Sequence, residues 1–113
     1  MSLMELPSYA NIDAENMAAK IGLNVKHIPI LIQSFLDEGS TIMTQMTEAI
    51  STKDYENISL TAHSIKGSAG NLKFDAIYDL AREVELSAKD MKSDYPYAEA
   101  CESLKKAIDT ISL

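Results

Sequence analysis

Tyr55-Glu56-Asn57-Ile58-Ser59-Leu60-Thr61-Ala62-His63-Ser64-Ile65-Lys66-Gly67-Ser68-Ala69-Gly70-Asn71-Leu72 decides how this chain folds. Tyr55, Ile58, Ala62, Ile65, Ala69 and Leu72 recur at alternating steps of three and four. At about 100° per residue they form one continuous apolar stripe, the mark of a helix packed in a bundle. On the same wheel His63 points roughly 130° away from the stripe centre, near or on the solvent face. Ser59, Lys66, Gly67 and Gly70 fall within about 60° of it. The result is a patch with one imidazole, one ammonium and little side-chain bulk. A glycine inside a helix costs about 1 kcal/mol against alanine, so Gly67 and Gly70 ask for a reason. Either bulk beside His63 is harmful because another protein approaches there, or the helix ends at one of these glycines in a left-handed cap. The wheel leaves both readings open.

The neighbouring segments extend the helical pattern. Asp13 is positioned as an N-cap, with Ile12 and Met17 as a hydrophobic staple, for a short helix stopping near Gly22. A long helix is expected from about Asn24 to Thr52, with the stripe Ile28, Ile32, Phe35, Ile42, Met46 and Ala49. Pro29 either kinks its first turns or marks its true first turn. Gly39 lies on that stripe, as for close approach of a neighbour. Asp54 caps the histidine helix. A fourth helix starts near Asp75 with Ile77, Ala81, Val84, Ala88 and Met91. A fifth starts near Asp94, has Pro96 in its first turn, and carries Tyr97, Cys101, Leu104, Ile108 and Ile111. Short connections and seam-like spacing predict an all-α fold. It is an antiparallel up-down four-helix bundle with a short additional N-terminal helix as a lid. The bundle is expected over 12–113. Residues 1–11 form an N-terminal segment, with Met1-Ser2-Leu3 read as a cloning remnant.

Composition agrees. The 113 residues suffice for one domain, 46% are hydrophobic, and tryptophan is absent. The formal net charge of −7 disfavours nucleic acid and anionic membranes as partners. No apolar run approaches the ~20 residues of a spanning helix. The single cysteine, Cys101, excludes an internal disulfide and reads as a buried thiol, in keeping with a cytoplasmic monomer. His27 and His63 lie on different helices without a cysteine or histidine cluster, so no metal site is expected. There is no nucleotide-binding loop and no nucleophile elbow.

The histidine segment resembles the signature of histidine-containing phosphotransfer domains, Ala-His-x-Leu-Lys-Gly-Ser-small-x-x-apolar-Gly. Here it stands as Ala62-His63-Ser64-Ile65-Lys66-Gly67-Ser68-Ala69-Gly70-Asn71-Leu72-Lys73. Ile65 replaces the usual leucine, and Lys73 stands where the family commonly has glycine. Ile12-Asp13, Phe35-Leu36 and Asp54 also match the family layout. The resemblance implies that His63 accepts a phosphoryl group at Nε2 and relays it to and from receiver-domain aspartates. The partner would be a response-regulator receiver or a hybrid histidine kinase. The domain itself needs no cofactor, and Mg²⁺ is expected on the receiver. It would be a carrier and not an enzyme.

Physical reasoning supplies matching roles. An ordinary histidine, with pKa about 6.5, is largely a neutral nucleophile at pH 7. Lys66 can neutralise phosphate charge, and Gly67 clears an approach. Ser59, Leu60, Ser64 and Gly70 are candidates for a partner surface. For Ser59, Ser64 and Ser68 the plainer alternative is a solvated helix face. For Leu60 it is packing against the lid helix. Two other functions stay open: a helical adaptor without chemistry, and the phosphoacceptor module of a chemotaxis-type kinase.

Overall fold

A computed structural model describes residues 5–113; the proposed remnant Met1-Ser2-Leu3 lies outside that range. The described residues form five α-helices and no strand: α1 (Ala14–Ile21), α2 (Ile28–Ser51), α3 (Tyr55–Asn71), α4 (Asp75–Lys89) and α5 (Tyr97–Asp109). Helix α2 packs on α3, α3 on α4, α4 on α5, and α5 back on α2, which closes a four-helix ring. The short connections turn the chain back at each step. Phe74, Ile28, Met46, Ile58, Ile65, Ile77, Leu104 and Val84 fill the centre. No described helix is long and apolar enough to cross a membrane.

The helix starts follow from local chemistry. Asp13 accepts a hydrogen bond from the Asn16 amide at 3.1 Å, and Asp54 accepts one from the Asn57 amide at 3.2 Å. Both satisfy amides that a first helical turn leaves unpaired. Asn24 caps a single 3₁₀ turn, Val25–His27, and only then does α2 begin, with Pro29 in its first turn. The proline therefore marks a start and not a kink. Helix α5 begins at Tyr97, later than Asp94, because the residue before a proline is driven out of the helical region.

The helix ends are more unusual. After α3, the Phe74 amide donates to the Ala69 carbonyl at 2.9 Å, and the Lys73 amide to the Gly70 carbonyl at 3.2 Å. This is a Schellman closure, with Lys73 in the left-handed region at φ 63°. The same closure ends α2 with Lys53 (φ 55°) and α4 with Met91 (φ 54°). Met91 is thus an exposed capping residue beyond α4, not part of its buried stripe. In α2 the buried stripe passes through Met43; Ile42 is only half-buried. Gly39 is buried, and a Cβ there would lie 3.9 Å from Ile65 Cδ1, an ordinary contact that alanine could make.

Part of the N-terminal segment belongs to the bundle, so a boundary at Ile12 cuts through packed chain. The Ile12 amide donates to the Ser112 carbonyl at 2.8 Å, and the Tyr9 amide to Thr110 Oγ1 at 2.8 Å. The Tyr9 ring meets Phe74 edge-on, with centroids 4.8 Å apart, and its hydroxyl accepts from the Ala76 amide. Cys101 is buried, with Sγ 3.5 Å from Thr47 Oγ1.

Candidate functional site

Helix α3 runs unbroken past both glycines. Neither Gly67 nor Gly70 has a positive φ, so neither is the left-handed cap; that position falls to Lys73. The helix therefore carries His63, Lys66 and Gly67 in its middle turns. The His63 side chain is 65% exposed and Lys66 is 22% exposed. Around Gly67 a Cβ would meet nothing within 4 Å. Leu60 and Ser64 share this open side. Leu60 does not pack against α1; it rims a shallow hollow with Tyr55, Ala88 and Met91. The Ser64 hydroxyl donates back to the Leu60 carbonyl at 3.2 Å.

Two members of the proposed patch lie elsewhere. Ser59 is buried at 8% exposure, and a Cβ on Gly70 would come within 3.1 Å of the Tyr78 ring. The reason is that α3 is held on two sides. Its apolar stripe faces the bundle centre. A second seam, Ser59, Lys66 and Gly70, lies on the side occupied by α4, its most extensive neighbour. Gly70 makes room for Tyr78 of α4, not for a partner. Small and polar residues build this seam, so a hydrophobic pattern does not reveal it.

The same seam brings in a residue that sequence reasoning missed. Glu85, on α4, has its side chain only 3% exposed, yet every ion pair among the described residues converges on it. His63 Nδ1 stands 2.8 Å from Oε2, Lys66 Nζ 2.7 Å from Oε1, and Lys89 Nζ 3.4 Å from Oε2. Burial alone would raise the carboxyl's pKa. Contacts with Lys66, His63 and Lys89 outweigh it and hold the group at about 2, well below the usual range for glutamate. Glu85 is therefore an anion at neutral pH. Oε1 has Lys66 as a close ion partner but no aligned hydrogen-bond donor, so charge rather than direction holds that lysine.

An anionic acceptor opposite Nδ1 calls for a proton on Nδ1. In the neutral imidazole the lone pair then sits on Nε2, on a ring that is mostly in solvent. Carboxylate, imidazole and exposed nucleophilic nitrogen follow the logic by which a buried acid fixes a histidine tautomer. Lys66, paired with the same carboxylate, and the open space over Gly67 complete a site suited to an approaching anion. Among the described residues no group of three or more His, Cys, Asp or Glu side chains is placed to hold a metal ion. His27 is exposed at the end of the 3₁₀ turn, remote in sequence from this cluster and on another element.

No similar curated protein and no similar solved structure was matched. A family model described as the Hpt domain matches residues 30–112, which include α3, α4 and α5, all of α2 but its first two residues, and the whole His63–Glu85 cluster. With most of its length covered by that match, the chain belongs to the Hpt domain family.

Proposed function

We propose that His63 is the phosphoacceptor of this domain, taking a phosphoryl group on Nε2 from an aspartyl phosphate of a receiver domain and returning it to another. Hpt domains serve histidine phosphotransfer in two-component signalling and are phosphocarriers rather than classical enzymes. The observation that carries the assignment here is the 2.8 Å contact of Nδ1 with the buried Glu85 carboxylate, on an imidazole otherwise open to solvent. It supports a fixed tautomer with Nε2 as the nucleophile.

The other residues take supporting roles in this reading. Lys66, held on Glu85, offsets the charge of the incoming phosphoryl group. Gly67 leaves room for the receiver's acidic pocket to reach Nε2. Leu60 and Ser64 border the docking surface. Electrostatic stabilisation of the moving phosphoryl group comes from the receiver, with its aspartate and a bound Mg²⁺. The carrier has no catalytic power without that partner. The acidic surface, with formal net charge −7, favours a protein partner over nucleic acid.

The test is label transfer. Receivers phosphorylated with a radioactive phosphoryl group are mixed with the domain. The expected result is an acid-labile label on the domain, lost in His63→Gln. Label retained by His63→Gln, or no transfer from any receiver of the source genome, overturns the assignment.

A further inference from the structure

We infer that Glu85 keeps the Nδ1 proton on the ring after phosphorylation, so the phosphoryl group rides on an imidazolium and the domain is built to hand it on rather than to store it. This rests on His63 being the phosphoacceptor.

The argument begins with the electron count. The Nε2 lone pair forms the N–P bond as the P–O bond of the aspartyl phosphate breaks, and that bonding pair leaves with the aspartate carboxylate. No proton need move. Nδ1 keeps its hydrogen, and the ring becomes a cation. If the proton then left, the ring would be a neutral N-phosphoimidazole with a bare Nδ1 lone pair. That lone pair would face a carboxylate oxygen 2.8 Å away on a residue 3% exposed. Two acceptors at such a distance repel, and a buried carboxylate has little water to turn to. Glu85 thus favours the protonated form in a way that a neutral side chain at this position would not.

The remaining charges are accounted for on each packed element. On α3, Lys66 stands on Glu85 Oε1; on α4, Lys89 stands on Oε2, and the exposed Arg82 makes no ion pair among the described residues. Helix α2 lies on the apolar side of α3 and supplies no ion partner to the cluster. Two lysines, one carboxylate, an imidazolium and a phosphoryl group of charge about −2 sum to about zero. Loss of the ring proton would leave that cluster net negative.

The chemical consequence lies in the leaving group. When the phosphoryl group departs from an imidazolium, the P–N bonding pair returns to Nε2 and a neutral imidazole leaves. From the deprotonated form an imidazolate would have to leave. The protonated form is the better donor both to a receiver aspartate and to water. Glu85 is thus a positioning residue that acts through His63.

Phosphoramidate, a small phosphoryl donor, provides the phosphoprotein without a cognate receiver. With ¹⁵N-labelled histidine, the Nδ1 shift of the phosphorylated ring is followed against pH, and phosphoryl loss is timed in the same samples. The parent is compared with Glu85→Gln and with the phosphorylated parent in denaturant. The Nδ1 midpoint of the folded parent should lie at least about one pH unit above both references. Above that midpoint, Glu85→Gln should lose its phosphoryl group about tenfold more slowly. If Glu85→Gln does not fold, the folded and denatured parent alone decide the matter. Coincident midpoints with His63 labelled overturn this inference and leave the phosphoacceptor assignment standing. Label on His63 from neither phosphoramidate nor a receiver removes the assignment and the inference together.

Discussion

On its inner face α3 carries Ile58, Ala62, Ile65 and Ala69, all out of solvent, while its outer face carries Leu60, His63, Ser64 and Gly67, all exposed. The inner face is read easily because burial repeats with the helical period. The outer face obeys no period, since approach by a partner selects for absent bulk as much as for present groups. Gly67 and Gly70 show the difference within one turn. The first looks onto open space, and the second is pressed against Tyr78. The same residue type serves access in one place and packing in the other.

Substitutions can separate the two faces. The largest effect is expected at His63. His63→Gln should abolish phosphoryl acceptance and lower stability by only about 1 kcal/mol, because the exposed imidazole also pairs with buried Glu85; denaturant titration beside a labelling assay checks both. If the variant unfolds, the outer face is not independent of the core.

The glycine pair comes next. Gly67→Gln should slow transfer from a phosphorylated receiver on the order of a hundredfold, by obstructing alignment. It should also raise stability by up to about 1 kcal/mol, because the helix gains a better former. Gly70→Gln should lower stability by about 1–2 kcal/mol through overpacking against Tyr78. Equal stability changes at the two sites would erase the contrast.

Acid probes the seam between the faces. Glu85 sits at about 2 in the folded protein against an ordinary 4.5. Its contribution is complete above the ordinary value and is lost as pH falls towards the folded one. The loss is on the order of 3 kcal/mol at most. Denaturation curves measured between those pH values should show this limb in the parent and not in Glu85→Gln. The smallest effect is at the end of α3. Lys73→Gly relieves a left-handed lysine and should add about 1 kcal/mol or less to stability. A loss of stability would mean that the lysine side chain contributes more than its backbone costs.

The stripes, the caps at Asp13 and Asp54, the stop at Gly22 and the start at Pro29 were legible because local chemistry determines them. Met91 was misassigned to a stripe because a periodic pattern cannot say where a helix closes, and methionine is an uncommon left-handed cap. Asp94 was misassigned as a start because the restriction imposed by Pro96 is stronger than an acidic residue's preference for a cap. At the site, His63, Lys66 and Gly67 could be picked out because they interrupt an apolar repeat within one motif. Glu85 lies 22 residues beyond His63 and looks like any charge on an amphipathic helix. Its one available signal is that it follows Ala81 by four residues and adjoins Val84, which places a carboxylate at the border of α4's buried face. Ser59 and Gly70 were placed on the open surface because a wheel assumes one buried side, whereas α3 has two.

The clasp between Tyr9–Ile12 and Thr110–Ser112 has a kinetic consequence. Its bonds join residues as far apart as Tyr9 and Ser112, whereas the helical hairpins close over a few turns. Closing a loop of that length costs roughly 4 kcal/mol in chain entropy from its length dependence alone. These bonds are therefore expected to form after the ring of helices has brought the two ends together, and to open before it comes apart. Amide hydrogens of Ile12 and Ser112 should exchange with solvent by local fraying. Those of Ile65 and Val84 should wait for the whole bundle to open.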